Sequence, residues 1–254
     1  MAEGGASSEQ CVDTNAQPRV RFYKFNERSL VEEDQWHEYK AHKELSSEEV
    51  PRVCKEQHSR QSVSRTLCSF LNTGEGGTVY LGILDSREVQ GLHLTEYQKD
   101  HLLLSLENVM ARYKPQVPKH MYELRFVPVI TEGAPEPTEE SPHTLKERLR
   151  PHNLKTSKYC WCERESAAKM DVGEVVQRYV VEIEMIPWDS TDYRNESMNF
   201  TQMGLHPMFE NEEGICFIRR QGSNIRLTLQ DIVDMTRQAV KNYYAPLKTS
   251  YRSL

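Results

Sequence analysis

Apolar and polar positions follow two different periods along the chain, and each period predicts a type of element. Alternation or a short apolar run predicts a strand, whereas apolar residues three and four apart predict one face of a helix. The predicted strands are 20–24, 36–42, 78–84, 121–130, 179–186 and 215–219, and the predicted helices lie within 46–71, 94–113 and 228–243. Because no strand-helix-strand unit repeats, the order indicates an α+β fold with a mixed sheet and flanking helices.

The polarity of the chain divides it into one folded unit and its margins. Residues 1–19 are small and polar without periodicity, which predicts a disordered tail. The folded domain is predicted over residues 20–245, with residues 131–172 as a polar insertion that begins in an acidic, proline-rich segment. Residues 246–254 are predicted to be a C-terminal tail.

Composition and charge exclude several classes of protein. Hydrophobic residues make up 37% of the 254 residues, and the mean hydropathy is -0.71. No stretch approaches the roughly 18 apolar residues of a membrane helix, and the first residues lack the pattern of a signal peptide. We therefore expect a cytoplasmic protein without membrane insertion. The net charge of -6 means that a polyanionic partner would need a local basic surface.

A glycine-rich turn, NTGEGGTVY, separates the first predicted helix from the third predicted strand. Gly74, Gly76 and Gly77 follow a helix and precede a strand. A phosphate-binding loop needs the opposite order, with the glycines after a strand and before the helix whose N-terminus holds the anion. The order therefore favours a closely packed helix-to-strand turn over a nucleotide site.

An acidic segment, EEDQWHEYK at residues 32–40, precedes and enters the second predicted strand. Successive side chains of a strand face opposite sides, so Glu38 and Lys40 are predicted to share one face. Glu33 stands at odd spacing from Glu38, so the two carboxylates can converge only if the chain bends near Asp34 and Gln35. Taken alone, the segment is also typical of a solvated acidic patch.

Three segments, in this order, resemble the AlbA-type fold domain of the Schlafen family. Residues 33–40 are similar to the family's E-x-x-x-x-E-F-K segment, and SRTLCSFLNTGEGGTVYLGILDS is similar to its A-F-A-N-T-x-G-G-hydrophobic-G-V-x-D segment. GICFIRRQGSNIRLTLQDIV matches a strand that ends in R-x-G-S-x-x-R before a helix. The segments cover most of residues 22–240. The resemblance implies a single Schlafen AlbA_2-like lobe.

The resemblance also implies an activity. In nuclease members of the family, two acids and an aspartate after the glycine-led strand bind divalent metal for RNA cleavage, and the matching positions here are Glu33, Glu38 and Asp85. Mg²⁺ and Mn²⁺ suit such a site because they prefer carboxylate and phosphate oxygens. Lys40 would neutralise charge on the phosphate. The implied function is a metal-dependent endoribonuclease acting on structured RNA, such as tRNA or a small-RNA precursor such as a piRNA precursor.

One departure from the family pattern leaves alternatives open. The family strand often ends in G-V-D-D, whereas this chain has Gly82-Ile83-Leu84-Asp85. If Leu84 occupies the catalytic position, the cluster is incomplete and the chain would be a non-catalytic subunit that binds RNA or supports a catalytic partner. A protein-interaction adaptor that does not bind nucleic acid is a third alternative.

A local basic surface for RNA is predicted around the turn at residues 222–224. Arg219, Arg220 and Arg226 flank this turn, and the guanidinium fork matches phosphate geometry. Schlafen cores resemble two related lobes that clasp RNA, while this sequence accounts for one. We therefore expect a homodimer, or a heterodimer with another Schlafen-like subunit.

The cysteines give weaker evidence for a metal site than the acidic segment does. The six cysteines are too sparse for a secreted disulfide scaffold, so free thiols are expected. The resemblance implies a zinc held by a His-x-Cys and a Cys-Cys pair, but its counterpart here is His120-Met121-Tyr122, and EMIPWDS has no Cys pair, so structural zinc is not expected. Cys160-Trp161-Cys162 with His152 is an alternative metal site, but its spacing favours ordinary residues of a poorly ordered insertion.

Overall fold

The computed structural model describes residues 20–137, 143, 150–198 and 203–251. The predicted tail at residues 1–19 lies outside the described residues, as does part of the predicted insertion. Among the helices of these ranges, none combines the length and the apolar character needed to span a bilayer.

The elements follow the order that the sequence pattern predicts, with additions at residues 92–93, 161–171 and 223–226. In chain order they are β1 (Tyr23–Lys24), β2 (His37–Lys40), α1 (Arg52–Glu56), α2 (Val63–Thr73), β3 (Gly77–Leu81), β4 (Leu92–His93), α3 (Glu96–Ala111), β5 (Tyr122–Ile130), α4 (Trp161–Asp171), β6 (Arg178–Met185), β7 (Phe217–Arg220), β8 (Ser223–Arg226) and α5 (Leu229–Tyr251).

The central sheet is mixed, which confirms the predicted α+β class. Its strand order is β1-β5-β6-β3-β2, and β4 also pairs with β6. β2 runs parallel to β3 and β1 runs parallel to β5, whereas β6 is antiparallel to its partners. β7 and β8 form a separate antiparallel hairpin. β2 is therefore an edge strand of the sheet.

The main core lies between the sheet and the helices α2 and α3. Leu67 of α2 and Leu106 of α3 pack in one buried cluster with Val79 and Ile183 of the sheet. A smaller cluster on the opposite face contains Tyr39, Tyr80, Ile83, Val89, Val129 and Val180. α3 begins with the predicted capping box, in which Thr95 and Gln98 each accept a hydrogen bond from the other's backbone N–H.

The glycine-rich segment is the predicted close-packed turn between α2 and β3. Gly74 caps α2 in the left-handed conformation, with φ of 78°. At Gly76, where φ is 73°, a Cβ atom would lie 2.4 Å from the carbonyl oxygen of Met185. Only glycine combines this backbone conformation with so close an approach. The turn is followed by strand β3. It therefore lacks the helix N-terminus that a phosphate-binding loop requires.

Several predicted boundaries were wrong. The helical pattern within residues 46–71 forms two helices, α1 and α2. The predicted strand 78–84 ends at Leu81, because Gly82 has φ of 97° and leaves the β region. α5 extends to Tyr251, past the predicted end at Tyr243. Residues 161–171 of the insertion form α4, whose buried residues are only Cys162 and Ser166, so it carries almost no apolar periodicity.

Candidate catalytic and RNA-contacting site

Strand β2 carries the central pair of the predicted site. Glu38 lies opposite Val79 of β3 and Lys40 lies opposite Leu81, on the face that meets the main core. Glu38 is buried, and its Oε1 atom accepts a hydrogen bond from Nζ of Lys40. The predicted placement of these two side chains on one strand face is therefore confirmed.

Arg219 lies in the interior, where it binds the other oxygen of Glu38. Its Nη2 is 2.5 Å from Oε2 of Glu38 and also donates to the carbonyl oxygens of Asp34 and His37. Nη1 of Arg219 donates to Asn224 Oδ1 at 3.1 Å. The side chain has 0% exposure, so the prediction that Arg219 contacts RNA phosphate does not agree with the structure. Nothing in the sequence relates Arg219 to Glu38.

The acidic segment before β2 pairs with the open edge of that strand. Oε1 of Glu33 accepts a hydrogen bond from the backbone N–H of Tyr39 at 2.9 Å, and Oδ1 of Asp34 accepts one from that of His37 at 2.8 Å. The N–H of Asp34 donates to the carbonyl of His37 at 3.1 Å, which is the predicted bend. These carboxylates replace a neighbouring strand, because edge N–H groups need a partner.

Asp85 lies beyond the end of β3, at the same end of the sheet as Lys40. The N–H of Arg87 donates to the carbonyl of Leu84 at 2.8 Å, which places Asp85 in an exposed turn. Partial burial raises the pKa of Glu33, and the charges of Glu38 and Asp85 raise it further, while the Tyr39 N–H and Lys40 oppose the shift. Glu33 thus lies within electrostatic reach of the other three residues predicted as catalytic.

The chemistry of this donor set suits a hard divalent cation. Glu33, Glu38 and Asp85 offer carboxylate oxygens, the ligand type of Mg²⁺ and Mn²⁺. Two of them are partly engaged, Glu33 through one oxygen by Tyr39, and Glu38 through both oxygens by Lys40 and Arg219. These three carboxylates do not form one of the groups of at least three converging ligand atoms among the described residues, and the group that does form lies elsewhere.

The two remaining arginines of the predicted RNA surface are exposed on the hairpin. Arg220 lies opposite Ser223, and Arg226 lies opposite Phe217. Because side chains alternate along a strand, Arg220 and Arg226 lie on opposite faces of the hairpin. Arg220 lies beside the turn, whereas Arg226 lies at the other end of the hairpin, so the two do not form the single arginine face around the turn that the sequence suggested.

The closely gathered group is in and beside the insertion and contains His101, His152, Cys160 and Cys162. Their candidate ligand atoms all lie within 4.8 Å of one another. His101 comes from α3, and sequence analysis did not single it out, because no local spacing relates it to the cysteines 59 and 61 positions later. Burial lowers the pKa of His101 to about 4 and raises the pKa of Cys162.

At the position that the resemblance assigns to zinc, His120 contacts an asparagine side chain. His120 lies 2.7 Å from Oδ1 of Asn195 through its Nε2 atom. The cysteines described by the structure, Cys54, Cys68, Cys160, Cys162 and Cys216, are all free, as predicted.

A comparison with family models agrees with the fold and with the order of the three segments. The model described as Schlafen, AlbA_2 matches residues 33–228. The match begins at Glu33, includes β2, the glycine turn and Asp85, and ends just after the β7–β8 hairpin. It covers well over half of the 254 residues. The chain therefore belongs to the Schlafen family and contains its AlbA_2 domain.

Proposed function

We propose that this protein is a metal-dependent endoribonuclease that cleaves structured RNA, such as tRNA or a small-RNA precursor. The observation that carries the proposal is the pairing of Glu38 with Lys40 on one face of β2. Glu33 caps the edge of the same strand, within electrostatic reach of this pair and of Asp85. The chain belongs to the Schlafen family, and the sequence resemblance assigns the family's acidic motif to these positions.

Each residue has a distinct role in the proposal. Glu33, Glu38 and Asp85 hold Mg²⁺ or Mn²⁺, which would supply Lewis-acid charge beside the phosphodiester. Lys40 contacts Glu38 in the structure and can turn to the phosphate, where its ammonium offsets developing negative charge. Arg219 orients Glu38 from the buried side and does not touch RNA. It is a positioning residue.

Contacts to the RNA backbone are assigned to Arg220 and Arg226, which are exposed near the buried Arg219. Because they lie at opposite ends and on opposite faces of the hairpin, they would contact two separate parts of the RNA backbone. The proposal includes assembly with a second copy or another Schlafen-like subunit, which would bind the RNA from the other side. Gel filtration with light scattering tests this assembly, and a monomer at micromolar concentration would contradict the homodimer.

A second candidate function is a non-catalytic subunit that binds RNA or supports a catalytic partner. The specific observation in its favour is that both oxygens of Glu38 are engaged by Lys40 and Arg219. Leu84, in place of an acid, also reduces the number of carboxylates at the end of β3.

Cleavage of labelled tRNA and of single-stranded RNA, in Mg²⁺ or Mn²⁺, separates these candidates. Glu38→Gln and Asp85→Asn keep the size of each side chain but remove a ligand charge. The cleavage rate is expected to fall by at least the roughly 10- to 100-fold that loss of a residue supporting a metal ligand costs. Glu32→Gln is the matched control, because Glu32 is an exposed neighbour that pairs with Arg87. EDTA should abolish cleavage in the wild type.

The outcomes differ for each candidate. RNA binding without cleavage by the wild type would support the non-catalytic subunit. Cleavage that persists in EDTA, or that survives both Glu38→Gln and Asp85→Asn, would overturn the metal-dependent site. An absence of both binding and cleavage would favour the protein-interaction adaptor.

A further inference from the structure

Four metal-ligating side chains converge where the insertion meets the helical layer. His101 comes from the middle of α3, His152 from the segment before α4, and Cys160 and Cys162 from the start of α4. The relative exposures of His101, Cys160 and Cys162 are 3%, 1% and 0%. Burial of two thiols and two imidazoles against each other needs a physical reason, because buried polar groups require partners.

The distances in this group agree with the edges of a zinc tetrahedron. Nδ1 of His101 lies 3.2 Å from Nδ1 of His152, and these atoms lie 3.4 Å and 3.3 Å from the sulfur atoms of Cys162 and Cys160 respectively. With Zn–N of about 2.0 Å and Zn–S of about 2.3 Å, tetrahedral geometry gives N–N edges of about 3.3 Å and N–S edges of about 3.5 Å. All four candidate ligand atoms lie within 4.8 Å of one another.

The local structure explains how cysteines separated by one residue can both face that centre. Cys160 is the N-cap of α4 and has an extended backbone, while Cys162 lies in the first turn of the helix. The change from extended to helical backbone turns both sulfur atoms inward. The helix N-terminus favours negative charge on thiolates, and the N–H of Asn153 lies 3.4 Å from the sulfur of Cys160.

Aromatic contacts fix the orientation of His152. Its ring stacks on Trp161 with centroids 4.9 Å apart and an interplanar angle of 24°. Trp161 in turn donates to the carbonyl of Pro151 and meets the edge of Tyr97, one helical turn before His101 on α3. Trp161, which lies between the two cysteines, therefore orients His152.

We propose that His101, His152, Cys160 and Cys162 bind one structural Zn²⁺ ion. Two thiolates balance its charge, and two sulfur and two nitrogen donors are a closed, tetrahedral set that selects zinc over Mg²⁺ or Mn²⁺. The sequence disfavoured structural zinc both at His120 and at Cys160-Trp161-Cys162 with His152. The proposal departs from the second of these expectations, because His101 brings a fourth ligand that the cysteine spacing did not indicate. None of the four ligands belongs to the carboxylate site, so the zinc site does not depend on the proposed nuclease activity.

The ion would attach the insertion to the domain close to the end of β2. Glu163, directly after Cys162, forms an ion pair with Lys43 at 2.5 Å, and Lys43 lies three residues beyond Lys40. A zinc ion that holds the start of α4 against α3 therefore also holds this ion pair in place. In its absence, the segment from residue 150 to residue 171 loses its main attachment, since α4 buries little else.

Metal analysis of the full chain, purified without chelator, tests the site directly. The wild type is expected to contain about one zinc per chain, and Co²⁺ exchanged into it should show the visible absorption of tetrahedral cobalt with thiolate ligands. Cys160→Ser and His152→Gln should reduce both signals at least tenfold. Cys54→Ser and His58→Asn are matched controls. Cys54 lies in α1 and His58 just after it, outside the group of four ligands, so both variants should retain the metal.

A second measurement on the wild type covers variants that fail to fold. A strong chelator should make the chain susceptible to protease between residues 150 and 171, and zinc, but not Mg²⁺, should restore resistance. Wild-type protein without zinc that also fails to bind Co²⁺ would overturn the proposal. The proposal would also be overturned if both ligand variants retained one zinc per chain. A Cys160–Cys162 disulfide in protein purified in the presence of a reductant would overturn it as well.

Discussion

Arg219 and Glu38 form a buried ion pair between residues that are 181 positions apart in the sequence. The guanidinium of Arg219 has 0% exposure, and the side chain of Glu38 has 11%. The same guanidinium binds backbone carbonyls of the segment before β2. One side chain thus connects the β7–β8 hairpin, the acidic segment and the carboxylate at the centre of the candidate site.

Replacing Arg219 should destabilise the fold strongly. Arg219→Met leaves the carboxylate of Glu38 buried without its main partner, and removal of one member of a buried pair costs about 3–5 kcal/mol in the free energy of unfolding. Urea denaturation measures this loss. Arg220→Met is the matched control, because Arg220 is exposed and its replacement should change stability by less than about 0.5 kcal/mol.

A double variant separates the charge effect from the packing effect. Glu38→Gln in the Arg219→Met background removes the unpaired charge and is expected to recover part of the lost stability. If Arg219→Met is as stable as the wild type, the pair does not hold the site together. If the double variant recovers nothing, lost packing rather than the buried charge explains the cost.

Glu33 should have two separable roles. Its carboxylate accepts the hydrogen bond from the N–H of Tyr39 and is also a proposed metal ligand. Glu33→Gln keeps an acceptor oxygen and should retain stability, whereas Glu33→Ala should lose about 1 kcal/mol in urea denaturation. Both variants should lose metal-dependent cleavage. Full cleavage by Glu33→Gln would remove Glu33 from the ligand set and leave it a purely structural edge cap.

The sequence predicted most of what depends on local pattern. The capping box of Thr95 and Gln98, the turn at Gly76 and the shared face of Glu38 and Lys40 all follow from spacings of a few residues. Such features are encoded by helix and strand periods and by backbone sterics, so one sequence is sufficient to find them.

The parts that the sequence did not predict depend on contacts between distant segments. An arginine beside a turn is typical of an exposed anion contact, and only the fold shows that Arg219 turns inward to Glu38. His101 resembles any polar residue of an amphipathic helix until the insertion brings Cys160 and Cys162 to it. Single-sequence periodicity carries no information about pairings across 59 or more residues.

Arg220 and Arg226 should contribute to RNA affinity through charge alone. Each exposed arginine that neutralises a phosphate contributes about 0.7 to the slope of log affinity against log salt on single-stranded RNA. Arg220→Glu and Arg226→Glu should each weaken binding and make that slope less steep. Filter binding over a range of salt concentrations measures both effects.

The control for charge reversal is Arg237→Glu. Arg237 lies on α5, has a side chain that is 67% exposed, and undergoes the same change of charge. It should reduce affinity much less than either hairpin variant. An equal loss in all three variants would show that overall charge governs binding, and the hairpin would then have no special role.

His206 should make the protein sensitive to mild acid. Its ring packs against Trp188 and Phe209, and burial lowers the pKa of His206 to about 4. In the unfolded chain this pKa is about 6.5. Because the folded value is the lower one, the stabilisation is complete above about pH 6.5 and is lost as the pH falls towards 4. The upper limit of this loss is about 3 kcal/mol.

Comparison of the wild type with His206→Gln isolates this contribution, since the carboxylates of the two proteins are the same. The difference in unfolding free energy between them should shrink as urea denaturation is moved from about pH 7.5 to about pH 4.5, because only the wild type must protonate a buried imidazole on unfolding. His58→Asn is the control, as His58 is exposed and asparagine tolerates its positive φ of 53°. A difference that stays constant with pH for His206→Gln would mean that the ring of His206 is already accessible to protons in the folded state.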